Sequence, residues 1–80
     1  MITVNVSELK LGSSGERVEK LQAILNANFT EFKKDYLTVD GQYGPATEQK
    51  IKDLQTFFGL GVDGVCGPKT WEVVISLPLN

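Results

Sequence analysis

The sequence predicts an all-α domain, a compact three-helix orthogonal bundle with a short extended N-terminal arm, and three observations lead to it. Apolar residues recur at spacings of three and four in three separate stretches, the signature of helices with one buried face. Two related units, Asp40-Gly41-Gln42-Tyr43-Gly44-Pro45-Ala46-Thr47 and Asp63-Gly64-Val65-Cys66-Gly67-Pro68-Lys69-Thr70, each place an Asp-Gly-x-x-Gly-Pro turn directly ahead of such a stretch. Strand-like alternation is confined to Ile2, Val4 and Val6, which suits a short arm over residues 1–8 lying against a helical core over 9–77.

After Leu9 and Leu11, Ser13 is placed as a helix N-cap, with Glu16 three residues on completing a capping box. In the first helix Val18, Leu21, Leu25 and Asn28 or Phe29 share one face and are expected in the core. Glu16 and Lys20 form an i,i+4 pair on the outer face. Asn26-Ala27-Asn28 weakens the helix, and residues 29–39 read as a connector that carries Phe32, Tyr36 and Leu37, with Lys33-Lys34 solvated.

Asp40-Gly41 is a turn dipeptide, since Asp hydrogen-bonds the backbone ahead of it and Gly accepts positive φ without steric cost. Pro45 suits the first position of the second helix, where a missing N–H costs nothing and φ is already helical. Ile51, Leu54 and Phe58 are expected on that helix's inner face with Phe57 flanking, and Glu48 and Lys52 outside. Gly59 is the expected left-handed residue after the helix, with Leu60 folding back in a Schellman-type cap. The second turn repeats the device. Pro68 starts a third helix with Trp71, Val74 and Ile75 as its apolar face, and Pro78 ends it.

Val18-x-x-Leu21-Gln22 aligns with Ile51-x-x-Leu54-Gln55, and Asp40-Gly41 with Asp63-Gly64, so the chain holds two helix-connector-turn units. Two units are fewer than the roughly three a solenoid needs, so residues 1–80 are expected to form a single domain with a shared core. The 41% hydrophobic and 22% charged residues suit a globular chain, and no segment approaches the ~20 apolar residues that span a bilayer. A membrane role is not expected. The net charge of −2, with acids and bases interleaved, lacks the basic face that binds nucleic acid. No His is present and Cys66 is the lone cysteine, so His-dependent triads, Cys-His dyads and common zinc sites are unavailable; no metal, cofactor or catalytic residue is expected. The first residues carry no secretory signal pattern.

The ordered blocks Leu9-Lys10-x-Gly12-Ser13-x-Gly15-x-x-Val18-x-x-Leu21-Gln22, Asp40-Gly41-x-Tyr43-Gly44-Pro45-x-Thr47 and Leu54-Gln55-x-x-x-Gly59-Leu60-x-x-Asp63-Gly64-x-x-Gly67-Pro68-x-Thr70-Trp71 resemble the peptidoglycan-binding domain family in its three-helix form. The resemblance runs from Leu9 to Trp71. It departs from the family pattern in the long connector and in Cys66, where an aromatic residue is common. What the resemblance implies is a non-catalytic, monomeric anchor that keeps an attached cell-wall hydrolase, such as an amidase or a phage endolysin, on peptidoglycan. Its place would be the cell wall, or a host cytoplasm until lysis if phage-encoded. The alternative is a protein-interaction, pro-domain-like or structural module of the same fold.

Candidate ligand-binding residues are Gln22, Asn26, Tyr36, Gln42, Tyr43, Lys69 and Trp71. Each has a structural reading beside the functional one. Gln22 and its repeat partner Gln55 could present amides to a stem peptide or an N-acetyl group, or brace a neighbouring loop. Trp71 is either core or a platform for a sugar ring, and Tyr43 either plugs the core or faces the ligand. Asp40 and Asp63 could form a glycosidase-like carboxylate pair, but their matched places in a repeat favour turn-bracing.

Overall fold

The computed structural model describes residues 8–28 and 36–77. Nearly all of the expected extended arm, and Phe29, Phe32, Lys33-Lys34 and Pro78, lie outside the described residues. The fold is all-α. Among the described residues three helices, α1 (Glu16–Asn28), α2 (Pro45–Phe57) and α3 (Pro68–Ser76), follow one another, with two isolated antiparallel bridges, Leu9 with Cys66 and Ser14 with Gln42.

The bridges overturn the expected start of α1. Ser13 is not its N-cap. The Ser13 carbonyl accepts the Tyr43 N–H at 2.9 Å, and its Oγ accepts the Lys10 N–H at 3.0 Å, so both groups are used before the helix begins. The helix instead starts from Gly15, whose carbonyl accepts the N–H groups of Val18 and Glu19. With φ of +121°, Gly15 turns the chain from a segment paired with the first turn into the helix. Glu16 and Glu19 then place acids in the first turn, the favourable end of the helix dipole.

Val18, Leu21 and Leu25 are buried as the spacing predicts, joined by Ile24 and Gln22. In α2, Ile51 and Leu54 face the core with Gln55, but Phe58 does not: it is 40% exposed and Phe57 is 75% exposed. The reason lies in the cap. Gly59 (φ +71°) donates to Thr56 O and Leu60 donates to Gln55 O at 2.8 Å, a Schellman arrangement that brings Leu60 back against the core. Phe58 is thereby left on the rim, its ring meeting Phe57 edge-on at 5.0 Å.

α3 is rotated from the expected face. Trp71 and Val74 are buried, but Ile75 is 70% exposed and Val73 packs against the core in its stead. Thr70 is drawn inward by a hydrogen bond from Gln55, and in a helix of 3.6 residues per turn that anchor sets positions 70, 74 and 77 on the inner side. The shared core also takes residues from the connectors: Leu9, Leu37, Tyr43 and Cys66.

Candidate functional site

Each repeated turn is held by a buried glutamine from the preceding helix. In the first, the Gln22 Oε1 accepts the N–H groups of Asp40 (3.1 Å) and Gly41 (3.0 Å), while its Nε2 donates to Asp40 Oδ1, Gln42 O and Thr47 Oγ1. In the second, Gln55 Oε1 accepts from Asp63 and Gly64 at the same two distances, and Nε2 donates to Asp63 Oδ1, Val65 O and Thr70 Oγ1. One amide thus closes the turn and ties it to the first turn of the following helix. Burial makes these bonds matter, since a buried amide that loses its partners carries its full desolvation cost.

The aspartates complete the turns. Asp40 Oδ1 accepts the Gln42 N–H and Asp63 Oδ1 the Val65 N–H, both at 2.9 Å. These backbone donors, and then the glutamine amides, hold both carboxyls below the usual carboxylate range. Neither is held protonated at neutral pH, as a glycosidase general acid must be. A folded-state pKa below the unfolded value of ~3.9 gives stability that is present above that value and lost as pH falls through the folded pKa. Thermal melts are therefore expected to drop as pH is lowered below about 4. Asp63→Asn, which keeps the acceptor oxygen, should flatten that drop; an unchanged acid profile in the variant would show that the turn carboxylate does not drive it.

Gly41 and Gly64 sit at φ of +75° and +74° beneath these amides. A Cβ on Gly41 would stand 3.2 Å from the Gly15 carbonyl oxygen, a backbone atom that cannot swing away. Gly41→Ala is expected to cost about 1–2 kcal/mol, the penalty of a side chain in the left-handed region, in urea unfolding. Gly61→Ala, with ordinary φ and open space around its Cβ position, should leave the midpoint nearly unmoved.

The two turns are cross-braced by Tyr43. Its hydroxyl, on a side chain only 2% exposed, donates to the Gly64 carbonyl at 2.7 Å. Burial, then the nearby Cys66 and acidic groups, pushes the phenol's pKa up, so it stays a donor. Cys66, the repeat partner of Tyr43, is fully buried, and burial pushes its thiol up to about 12. It is a core residue and not a reactive thiol.

Beside each turn lies an open cleft, of about 200 Å³ at the first and about 310 Å³ at the second. Their linings correspond position by position: Leu37 with Leu60, Asp40 with Asp63, Pro45 with Pro68, and a glutamine amide at the back of each. Of the seven expected ligand residues, the structure brings Gln22 and Gln42 to the first cleft and Lys69 to the second. Gln42 and Lys69 are exposed; Gln22 has both ends of its amide engaged by the turn. Asn26 pins the connector, accepting the Leu37 N–H at 2.7 Å and donating to the Leu37 carbonyl at 2.9 Å. Tyr36 is 53% exposed on that connector and lines neither cleft. Tyr43 is in the core, and Trp71 is 6% exposed with the Arg17 guanidinium 5.4 Å above its ring and, among the described residues, no hydrogen-bond partner for Nε1. Thr38 and Ala46 also line the first cleft and were not singled out from the sequence; the signal that finds them is their common offset of 23 from Gly61 and Lys69. Among the described residues, no three His, Cys, Asp or Glu side chains come together to hold a metal ion.

Two glutamine-braced turns around one core, each opening a cleft at a helix start, define a duplicated all-α module. Residues 14–74 match the model of the family described as "Putative peptidoglycan binding domain". The zinc D-Ala-D-Ala carboxypeptidase of Streptomyces albus G is 41% identical over 69 residues, covering 86% of this chain and 26% of that protein. Among solved structures, the SleB N-terminal domain superimposes with a TM-score of 0.79 at 32% identity, covering 92% of this chain and 96% of that one. The Burkholderia AP3 phage endolysin does so with a TM-score of 0.74 at 37% identity, covering 85% of this chain and 24% of that one. The chain belongs to the peptidoglycan binding domain family. It spans about a quarter of the length of the carboxypeptidase and endolysin that it matches.

Proposed function

We propose that this chain is a non-catalytic module that binds peptidoglycan and holds an attached lytic enzyme, such as an amidase or endolysin, at the bacterial cell wall. The observation that carries the proposal is the pair of open clefts, each combining exposed polar side chains with an apolar residue on a braced turn, in a domain whose relatives include a carboxypeptidase and an endolysin. A non-catalytic role is supported by the chemistry in hand: both turn aspartates are ionised, the thiol is buried, and the sequence has no His. No helix among the described residues is long and apolar enough to cross a membrane.

Gln42, Lys69 and Tyr36 remain the ligand-facing residues of this reading, because they are exposed where Gln22, Tyr43 and Trp71 are drawn inward. With a net charge of −2, the chain has no general attraction to a polyanionic wall, so binding rests mainly on hydrogen bonds and apolar contact. Co-sedimentation of the purified monomer with sacculi tests the proposal. Retention that weakens only a few-fold between low and moderate salt is expected. A folded monomer that stays in the supernatant would instead favour a protein-interaction module of the same fold.

A further inference from the structure

We infer that the two clefts are subsites of different charge preference, the second selecting a carboxylate group of the stem peptide through Lys69. The inference rests on the peptidoglycan-binding reading and deepens it.

The two clefts share a frame and differ at the positions that face solvent. Ala46 in the first is replaced by Lys69 in the second, both at the second residue of a helix that starts with Pro. Thr38 is replaced by Gly61, which removes a side chain and accompanies the larger volume of the second cleft, about 310 against about 200 Å³. Gln42 is replaced by Val65, so the second cleft exchanges an amide for an apolar wall. Each cleft keeps one aspartate, and in both its Oδ1 is engaged by a backbone N–H and a glutamine amide.

The charge balance follows. The lining of the first cleft holds Asp40 as its one ionisable side chain, whereas the second holds Asp63 and a lysine. Lys69 is exposed and makes no ion pair among the described residues, so its ammonium is available to a ligand. Two acids from other segments stand near this cleft: Glu8, whose Oε2 lies 3.9 Å from where a Cβ on Gly67 would stand, and Glu48, whose Oε2 lies 3.4 Å from where one on Gly64 would stand. Both acids lower the attraction that the cation offers a carboxylate, which keeps the expected preference modest. A ligand carrying a carboxylate next to peptide amides therefore fits the second cleft better than the first, where Asp40 would repel it. The first suits an uncharged group that donates hydrogen bonds to a carboxylate and exchanges them with the Gln42 amide.

Because Ala46 and Lys69 occupy equivalent positions, the charge can be moved. The probe is a synthetic stem tetrapeptide with free carboxylates, beside the same peptide with its carboxylates amidated, titrated into the isotope-labelled chain while backbone amide shifts are followed. The free-carboxylate peptide is expected to shift Gly64, Val65 and Lys69, and the amidated peptide to shift them only at higher concentration. Lys69→Ala should weaken the response about two- to five-fold, the range of one exposed ion pair. Ala46→Lys should make Gly41 and Gln42 respond to the free-carboxylate peptide. Equal binding of the two peptides, or titration unchanged by Lys69→Ala and by Ala46→Lys, would overturn the inference. Sacculus retention separates the two levels: retained protein whose second cleft ignores the peptide refutes only the charge assignment, whereas protein that is not retained refutes the targeting function itself.

Discussion

Gln55→Leu is expected to lose about 3–5 kcal/mol of unfolding free energy, a large part of the ~4–12 kcal/mol that a domain of this length holds. Leucine has a similar volume, so the loss would not come from a cavity. It would come from the groups left behind: the N–H groups of Asp63 and Gly64, the Val65 carbonyl and the Thr70 hydroxyl all lose the amide they share. The Gly64 donor and the Thr70 acceptor are in the interior, where water does not replace the missing partner, and each orphaned group costs about 1–3 kcal/mol. Some relaxation of the turn toward solvent keeps the total below the sum. Thr70→Val, which removes a single partner, is the calibrating variant and should cost about 1 kcal/mol. If urea midpoints placed the two variants together, the amide would not be the element that closes the turn. Gln22→Leu should behave like Gln55→Leu, since its five bonds go to the corresponding atoms of the first turn.

The glutamines also show where the sequence speaks clearly and where it does not. The all-α class and the starts of α2 and α3 are legible because they depend on local chemistry: Pro fixes φ at a helix start, Gly accepts positive φ, and apolar spacing marks one face. The Schellman end of α2 at Gly59 is local in the same sense. The start of α1 is not. Ser13 has the residue type and spacing of a cap, but Tyr43, thirty positions on, takes its carbonyl, and a pairing between distant segments outcompetes a local bond. Phe58 and Ile75 fail in a related way. A 3.6-residue period assigns both to an apolar stripe, but Leu60 returning from the cap and Thr70 anchored by Gln55 decide which side of each helix is inside. Of the candidate site, the repeat told which positions correspond; it did not tell which of them face out. Gln22, Tyr43 and Trp71 have polar groups suited to a ligand, and the fold draws all three inward. Gln42 and Lys69 sit on the exposed side of turns whose inward positions the aspartates, glutamines and threonines fill.

Tyr43→Ala is expected to cost about 3–5 kcal/mol and Tyr43→Phe about 1–2 kcal/mol, and the difference between them separates two roles of one side chain. The ring fills the core between the turns at 2% exposure, so its removal opens a cavity beside Cys66 and the helix leucines. The hydroxyl alone holds the Gly64 carbonyl, and in Tyr43→Phe that buried acceptor is left without its 2.7 Å donor. Because the bond runs from the first turn to the second, its loss should be felt across the repeat. Amide hydrogen exchange at Gly64 and Val65 is expected to quicken in Tyr43→Phe while Gly41, on the mutated side, keeps its protection from the Gln22 Oε1. Exchange that quickened equally in both turns would indicate uniform loosening of the core, and exchange unchanged in both would leave the hydroxyl without a structural role. The expected asymmetry has a consequence for binding. The second cleft, with Lys69, adjoins a turn tied to a tyrosine of the first unit, so Tyr43→Phe is expected to weaken the peptide response at Lys69 as well, and an unchanged response would show that the cleft keeps its shape without that bond.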